Sequence, residues 1–159
     1  MANLIYLTLN GEKQGLISSG CSTTDSIGNR FQRGHEDQIQ VLSLNHIITR
    51  EQHVSFHPLA FTKPIDKSSP LLSVSISNNE LLTPEFSVFR TNQAGVIEDF
   101  YGIKLTGATI VDISCVFPNS IENNNLMPYE KILLKYKSIT WEHKVAGTSG
   151  YSIWDDRVY

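Results

Sequence analysis

Tyr129-Glu130-Lys131-Ile132-Leu133-Leu134-Lys135-Tyr136-Lys137-Ser138-Ile139-Thr140-Trp141-Glu142-His143 is the longest alternating run of the chain, and its reading decides the fold class. Ile132, Leu134 and Tyr136 fall on one face, and Lys131, Leu133, Lys135 and Lys137 on the other. Period two with one apolar face is the mark of a half-buried strand. Three lysines beside one leucine make the second face wet without making it featureless. Upstream, residues 85–90, 96–105 and 108–117 read as strands divided by a Gln93-Ala94-Gly95 turn and by Gly107, so a meander is expected. Downstream, Gly147-Thr148-Ser149-Gly150 turns the chain into a last short segment, residues 151–154.

At the amino end, residues 3–10 set Leu4, Tyr6 and Thr8 against Ile5, Leu7 and Leu9 and stop at Asn10-Gly11, a strand closed by a turn. Residues 38–49 and 53–61 read as two long strands with His53, Ser55 and His57 on the face opposite Val54 and Phe56. Pro64 ends the second, because proline donates nothing to a ladder. Within residues 66–76 a helix is expected next, with Ser69 as cap, Pro70 at the first position and Asn78-Asn79 as the stop. The polar stretch 15–34 is expected to be disordered or held from outside the core, for example by another subunit, with Ile27 and Phe31 as its anchors. Eight or nine strands and one short flanking α-helix make an all-β protein. Its long edges would be removed by closure into a compact β-barrel, a single domain over residues 1–159.

The chain has 159 residues, 40% of them hydrophobic and only 18% charged. The charge deficit is filled by 39 Ser, Thr and Asn residues, which suit turns, β-surfaces and protein contacts. Net charge is -3 and the basic residues are scattered, so no nucleic-acid partner is expected. No apolar stretch approaches the ~20 residues of a membrane span, so no membrane insertion is expected. Met1-Ala2-Asn3-Leu4 carries no basic leader, so the chain is expected to fold in the cytoplasm and to leave by a route that reads no amino-terminal signal. Cys21 and Cys115 are expected to be reduced structural thiols.

No enzyme constellation stands out. His53 and His57 share a strand face with no third ligand, and the HExxH pattern is absent. Asp155-Asp156 and Glu36-Asp37 are neighbours that a strand would point to opposite faces. Gly147-Thr148-Ser149-Gly150 lacks the spacing of a nucleophile elbow, and no phosphate-binding glycine pattern occurs. No catalytic residue, metal or cofactor is therefore expected.

Residues 5–20, opening Ile5-Tyr6-Leu7-Thr8-Leu9-Asn10-Gly11, resemble the amino terminus of the haemolysin-coregulated protein family, Hcp, the tube protein of the bacterial type VI secretion system. His57-Pro58-Leu59 with Phe61-Thr62-Lys63-Pro64-Ile65-Asp66-Lys67-Ser68-Ser69-Pro70-Leu71-Leu72 resembles the family's central motif, and Tyr136-Lys137-Ser138-Ile139-Thr140-Trp141 its carboxy-terminal one. The resemblance implies a compact β-barrel flanked by one helix, assembled as homohexameric rings that stack into a hollow tube. It implies as partners a contractile sheath, a VgrG-type spike and small effector proteins in the lumen, and it implies secretion into the surroundings or a target cell. It also implies that His57, Pro58, Asp66, Lys67 and Pro70 shape the strand-to-helix turn rather than bind a ligand. No effector domain is expected after the barrel. For ring stacking the exposed tip Asn92, Gln93, Ala94 and Gly95 and the terminal Asp156, Arg157, Val158 and Tyr159 are the expected contacts, with residues 18–34 touching the neighbouring subunit.

Two rivals follow from the residues alone. One is a monomeric β-barrel ligand-binding module whose pocket holds His35, His46 and His53; the other is a hydrolase built from a histidine and a nearby serine.

Overall fold

The computed structural model describes residues 3–154. In chain order the elements are β1 (Leu4–Gly11), β2 (Gly15–Leu16), α1 (Thr24–Ile27), a 3-10 turn (Gly28–Arg30), β3 (Ile39–Val41), β4 (Ser43–Asn45), β5 (Ile48–Arg50), β6 (Val54–Phe56), β7 (Leu59–Pro64), α2 (Ser69–Asn78), β8 (Leu82–Thr91), β9 (Ile97–Thr106), β10 (Thr109–Val116), β11 (Tyr129–Lys135), β12 (Ser138–His143) and β13 (Thr148–Ile153). A seven-stranded antiparallel sheet runs β13-β12-β9-β8-β1, with β2 and β3 sharing the far side of β1. A four-stranded sheet runs β10-β11-β7-β4, and β5 and β6 pair only with each other.

The core lies between the two larger sheets. Leu7, Leu9, Phe86, Ile103, Leu105 and Ile139 from the larger sheet meet Leu59, Phe61, Ile110, Ile132 and Leu134 from the smaller one. Phe61 and Phe86 bridge them edge to face, with centroids 5.3 Å apart. Each such side chain stabilises the fold by about 1.5–3 kcal/mol through burial.

The mostly-β class and the helix at Ser69–Asn78 stand as expected. Barrel closure does not: the hydrogen-bonded ladders form three open sheets, and none of their strand orders returns to its start among the described residues. The reason is that three long runs change sheets at corners. Residues 38–45 pass from β3 to β4 at Leu42, whose N–H bonds Thr62 O at 2.7 Å. The expected meander passes from β9 to β10 at Gly107, and the run 129–143 from β11 to β12 at Tyr136-Lys137. Each corner shifts the parity of the buried positions: Ile39 and Val41 to Leu44, Ile103 and Leu105 to Ala108 and Ile110, Ile132 and Leu134 to Ile139. Gly107 suits its corner because φ is +58° and a Cβ would stand 2.9 Å from Lys137 Cβ.

Two smaller corrections concern helices and loop. α1 is a second, one-turn helix besides α2, and Ser68 rather than Ser69 precedes α2, while Asn79 stops it in the left-handed region at φ 49°. The stretch 15–34 is held by its own chain. Ile17, Ser18, Cys21 and Ser22 are buried, Leu9 N–H donates to Ser18 Oγ at 3.1 Å, and Phe31 is exposed instead of anchoring. No helix among the described residues is long and apolar enough to cross a membrane.

Candidate functional site

The densest polar chemistry is sealed inside the chain. Lys63 ends β7 with its side chain fully buried. Its Nζ donates to Pro64 O at 3.0 Å and Ser69 Oγ at 3.2 Å, and pairs with Asp66 Oδ1 at 3.0 Å and with Glu130 of β11. Ser69 Oγ accepts from Asp66 N–H at 3.0 Å and donates to Glu130 Oε1 at 2.6 Å, so this hydroxyl is saturated. Asp66 Oδ1 also accepts from the backbone N–H and the hydroxyl of Ser68. One cation thus holds two carboxylates from different elements and locks the turn between β7 and α2 against β11. Cys21 lies beside this cluster; burial, then the charge of Asp66, pushes its thiol up to about 12. An amine bonded on every side and a thiol this weakly acidic offer no nucleophile.

A second clamp holds the β1–β2 turn. Buried Glu80 accepts from the N–H groups of Lys13 and Gln14 at 3.1 Å, and its other oxygen accepts from Gln14 Nε2 at 3.1 Å. Gln14 Nε2 continues to Leu71 O of α2 at 3.1 Å.

The histidines proposed for a common pocket have different partners. His35 stacks on Tyr6 with centroids 3.9 Å apart and bonds Gln38 through Nδ1 at 2.6 Å. His46 bonds Tyr136 Oη through Nε2 at 2.5 Å. His53 is exposed in the turn between β5 and β6. Among the described residues no three His, Cys, Asp or Glu side chains are placed to hold a metal ion.

What the chain leaves open are edges and tips. β13, Thr148-Ser149-Gly150-Tyr151-Ser152-Ile153, is an edge strand with no charge and no proline, and Tyr151 is 63% exposed. Natural edges are often blunted by those devices, and among the described residues this strand carries neither. β10, an edge of the smaller sheet, carries a bulge between Ile110 and Asp112. The core-opposed face of the larger sheet aligns Thr8, Glu85, Lys104, Thr140 and Tyr151 across five strands, and its two opposite charges sit side by side. Asn92, Gln93, Ala94 and Gly95 form an outward tip between β8 and β9. There Asn92 Oδ1 accepts from Ala94 N–H at 2.9 Å and Val96 N–H at 3.0 Å, and Gly95 takes φ +79°. Asp156, Arg157, Val158 and Tyr159 lie outside the described residues.

The sequence reading missed the second tip. β5 and β6 pair only with each other among the described residues; Phe56 enters the core and Val54 packs on it, while Ile47 is 50% and Ile48 43% exposed. The available signal was Ile47-Ile48 running into the polar Arg50-Glu51-Gln52-His53, apolar residues with no core to face.

Comparison with known proteins gives these edges a context. Residues 6–143 match the family model for the type VI secretion system effector Hcp. The "Major exported protein" of Pseudomonas aeruginosa is 40% identical over 166 aligned positions, covering 97% of this chain and 96% of that protein. The YhhZ protein of Escherichia coli K12 is 44% identical over 149 positions, 93% of this chain, but the match spans 37% of YhhZ. Among solved structures, a crystal structure of an Hcp protein superposes with a TM-score of 0.91 at 37% identity, covering 98% of this chain and 99% of that one. The secreted protein Hcp3 from Pseudomonas aeruginosa gives 0.88 at 38%, covering 98% and 100%.

Proposed function

This chain belongs to the Hcp family of type VI secretion proteins, and on that premise we propose that it is a structural subunit of the secretion system's inner tube. Its kinship is with exported proteins, and the finer reading is one of self-assembly without catalysis. Six copies close into a ring, rings stack into a hollow tube, and sheath contraction drives the tube, tipped by a VgrG-type spike, out of the bacterial cytoplasm. Residues 1–159 act as one domain in this reading.

The supporting observation is the uncharged edge of β13 at one end of the larger sheet, unpaired among the described residues, with β2 and β3 at the other. A heterologous contact between two such flanks closes into a ring when its rotation permits and leaves no edge exposed. The core-opposed face carrying Thr8, Glu85, Lys104, Thr140 and Tyr151 then lines the lumen, where hydroxyls and balanced charge suit small effector proteins of varied sequence. The Asn92–Gly95 tip and the β5–β6 hairpin meet the next ring. The exposed Ile47 and Ile48 of that hairpin gain by being covered.

Native mass spectrometry at micromolar concentration, followed by electron microscopy, tests the reading. Hexamers and annular particles are expected; a monomer that persists at every concentration overturns it.

A further inference from the structure

Asp66 is bonded through one oxygen only. Its Oδ1 takes Lys63 Nζ at 3.0 Å, the Ser68 N–H at 2.9 Å and the Ser68 hydroxyl, whereas Oδ2 is buried and has no hydrogen-bond partner. The side chain is 1% exposed, so bulk water does not make up the difference. The neighbouring thiol does not serve it either, since Cys21 Sγ donates to Ile17 O at 3.4 Å. A carboxylate oxygen shut away without a donor costs stability unless a ligand meets it.

The same residue lines a cavity of about 440 Å³ between α1 and the β7–α2 turn. With Oδ1 turned into the ion cluster, Oδ2 is the oxygen left for that space. Thr23, Asp25 and Ser26 supply another wall, so the lining is rich in oxygen. Thr23 Oγ1 donates to Gly20 O at 2.7 Å and Ser26 Oγ accepts from Lys67 N–H at 2.8 Å, which leaves each hydroxyl a lone pair to offer. Asp25 is exposed and forms no ion pair among the described residues.

We propose that this cavity is a binding site for a hard cation of the calcium class, held by Asp66 Oδ2, Asp25, the two hydroxyls and water. The charge balance calls for one. Asp25, Asp66 and Glu130 are set against Lys63 and Lys67, three carboxylates against two amines. Lys63 is spent on the cluster, and Lys67 forms no ion pair among the described residues: its Nζ stands against Gly20, where an added Cβ would be 3.1 Å from it. The proposal rests on these contacts and not on the tube reading.

The donor set decides which cation. Oxygen alone, with no thiolate or imidazole, suits calcium or magnesium and not zinc. Magnesium demands near-ideal octahedral geometry, whereas calcium accepts irregular shells that mix carboxylates with neutral oxygens and water. A cavity of this size has room for the ion and its waters. Two carboxylates contribute, fewer than the three acidic, thiol or imidazole side chains of a tight metal centre, which the described residues do not assemble. The affinity expected is therefore that of weak extracellular sites, a Kd of about 10⁻⁴–10⁻³ M. Binding ties residues 23–26 to the β7–α2 turn, adding to the bond between Lys67 N–H and Ser26 Oγ.

Thermal unfolding of the full chain, freed of divalent ions and then titrated with calcium, magnesium or sodium chloride at equal ionic strength, tests the site. Calcium at about 10 mM is expected to raise Tm by about 3–10 °C, magnesium by less and sodium not at all. Hydrogen exchange with calcium should show added protection at residues 20–27 and 65–69 and none in the β5–β6 hairpin. Asp25→Asn should remove the calcium shift, measured against that variant's own metal-free Tm. Asp112→Asn, which alters an exposed carboxylate on β10, should keep it. An equal response to the three salts, a calcium shift that survives Asp25→Asn, or protection confined to other residues overturns the proposal. The oligomeric state of the same samples bears on the tube reading alone: a calcium shift in a persistent monomer fails that reading and leaves the site standing.

Discussion

The turn at residues 61–72 and the hairpin at residues 47–57 sit close in sequence and are built on opposite principles. The turn buries Lys63, Asp66 and Glu130 and closes most of their polar atoms on one another and on Ser68 and Ser69. The hairpin leaves Arg50, Glu51, Gln52 and His53 in water and two isoleucines half out of it. A polar group satisfied within its own chain serves the stability of that chain. An apolar group left exposed serves stability only after something covers it. In the proposed tube, the contrast separates residues that make the subunit from residues that make the assembly.

The largest effect should come from breaking the sealed side. Lys63→Met leaves two buried carboxylates facing each other without their cation, and a loss of about 3–5 kcal/mol is expected in urea unfolding. A loss under about 1 kcal/mol would mean the cluster is not a clamp. Tyr136→Phe removes the hydroxyl that His46 Nε2 meets at the base of the hairpin and should cost about 1–2 kcal/mol in the same measurement. Ile48→Ser should change monomer stability by no more than about 0.5 kcal/mol, since the side chain is already 43% exposed. Stacked rings should nonetheless disappear from sedimentation profiles, and stacking that persists would assign the hairpin no part in it. The smallest effect is on reactivity alone. At about pH 8 a disulfide reagent should modify Cys115, which is exposed, and leave Cys21 untouched, since burial has pushed its thiol up to about 12. Rapid reaction of both thiols would show that the loop around Cys21 opens.

Much of the sealed side was legible. Pro64 and Asn78-Asn79 placed the end of β7 and the end of α2, and Pro70 placed its start to within one residue, because proline and left-handed stops act on the nearest backbone groups. The ion cluster was not, since Glu130 lies 67 residues from Lys63 and no local pattern joins them. The loop at 15–34 misled for a related reason: its composition is polar, yet Ile17 and Cys21 reach the core. The tip at Asn92–Gly95 was found by its turn chemistry, while the hairpin was hidden inside what read as two continuous strands.

Alternation is a property of single residues and their neighbours, so the sequence alone determined that this is a β-protein, which side of each run faces inward and which family it belongs to. It also carried the parity slips at Leu42, Gly107 and Lys137 without revealing what they meant. Strand partners are chosen by contacts distant in the chain, and a one-residue slip in alternation does not say which strand lies beyond the corner. For that reason only the tertiary structure decided that, among the described residues, the ladders stay open, β13 lies at a sheet edge, and β5 and β6 pair only with each other.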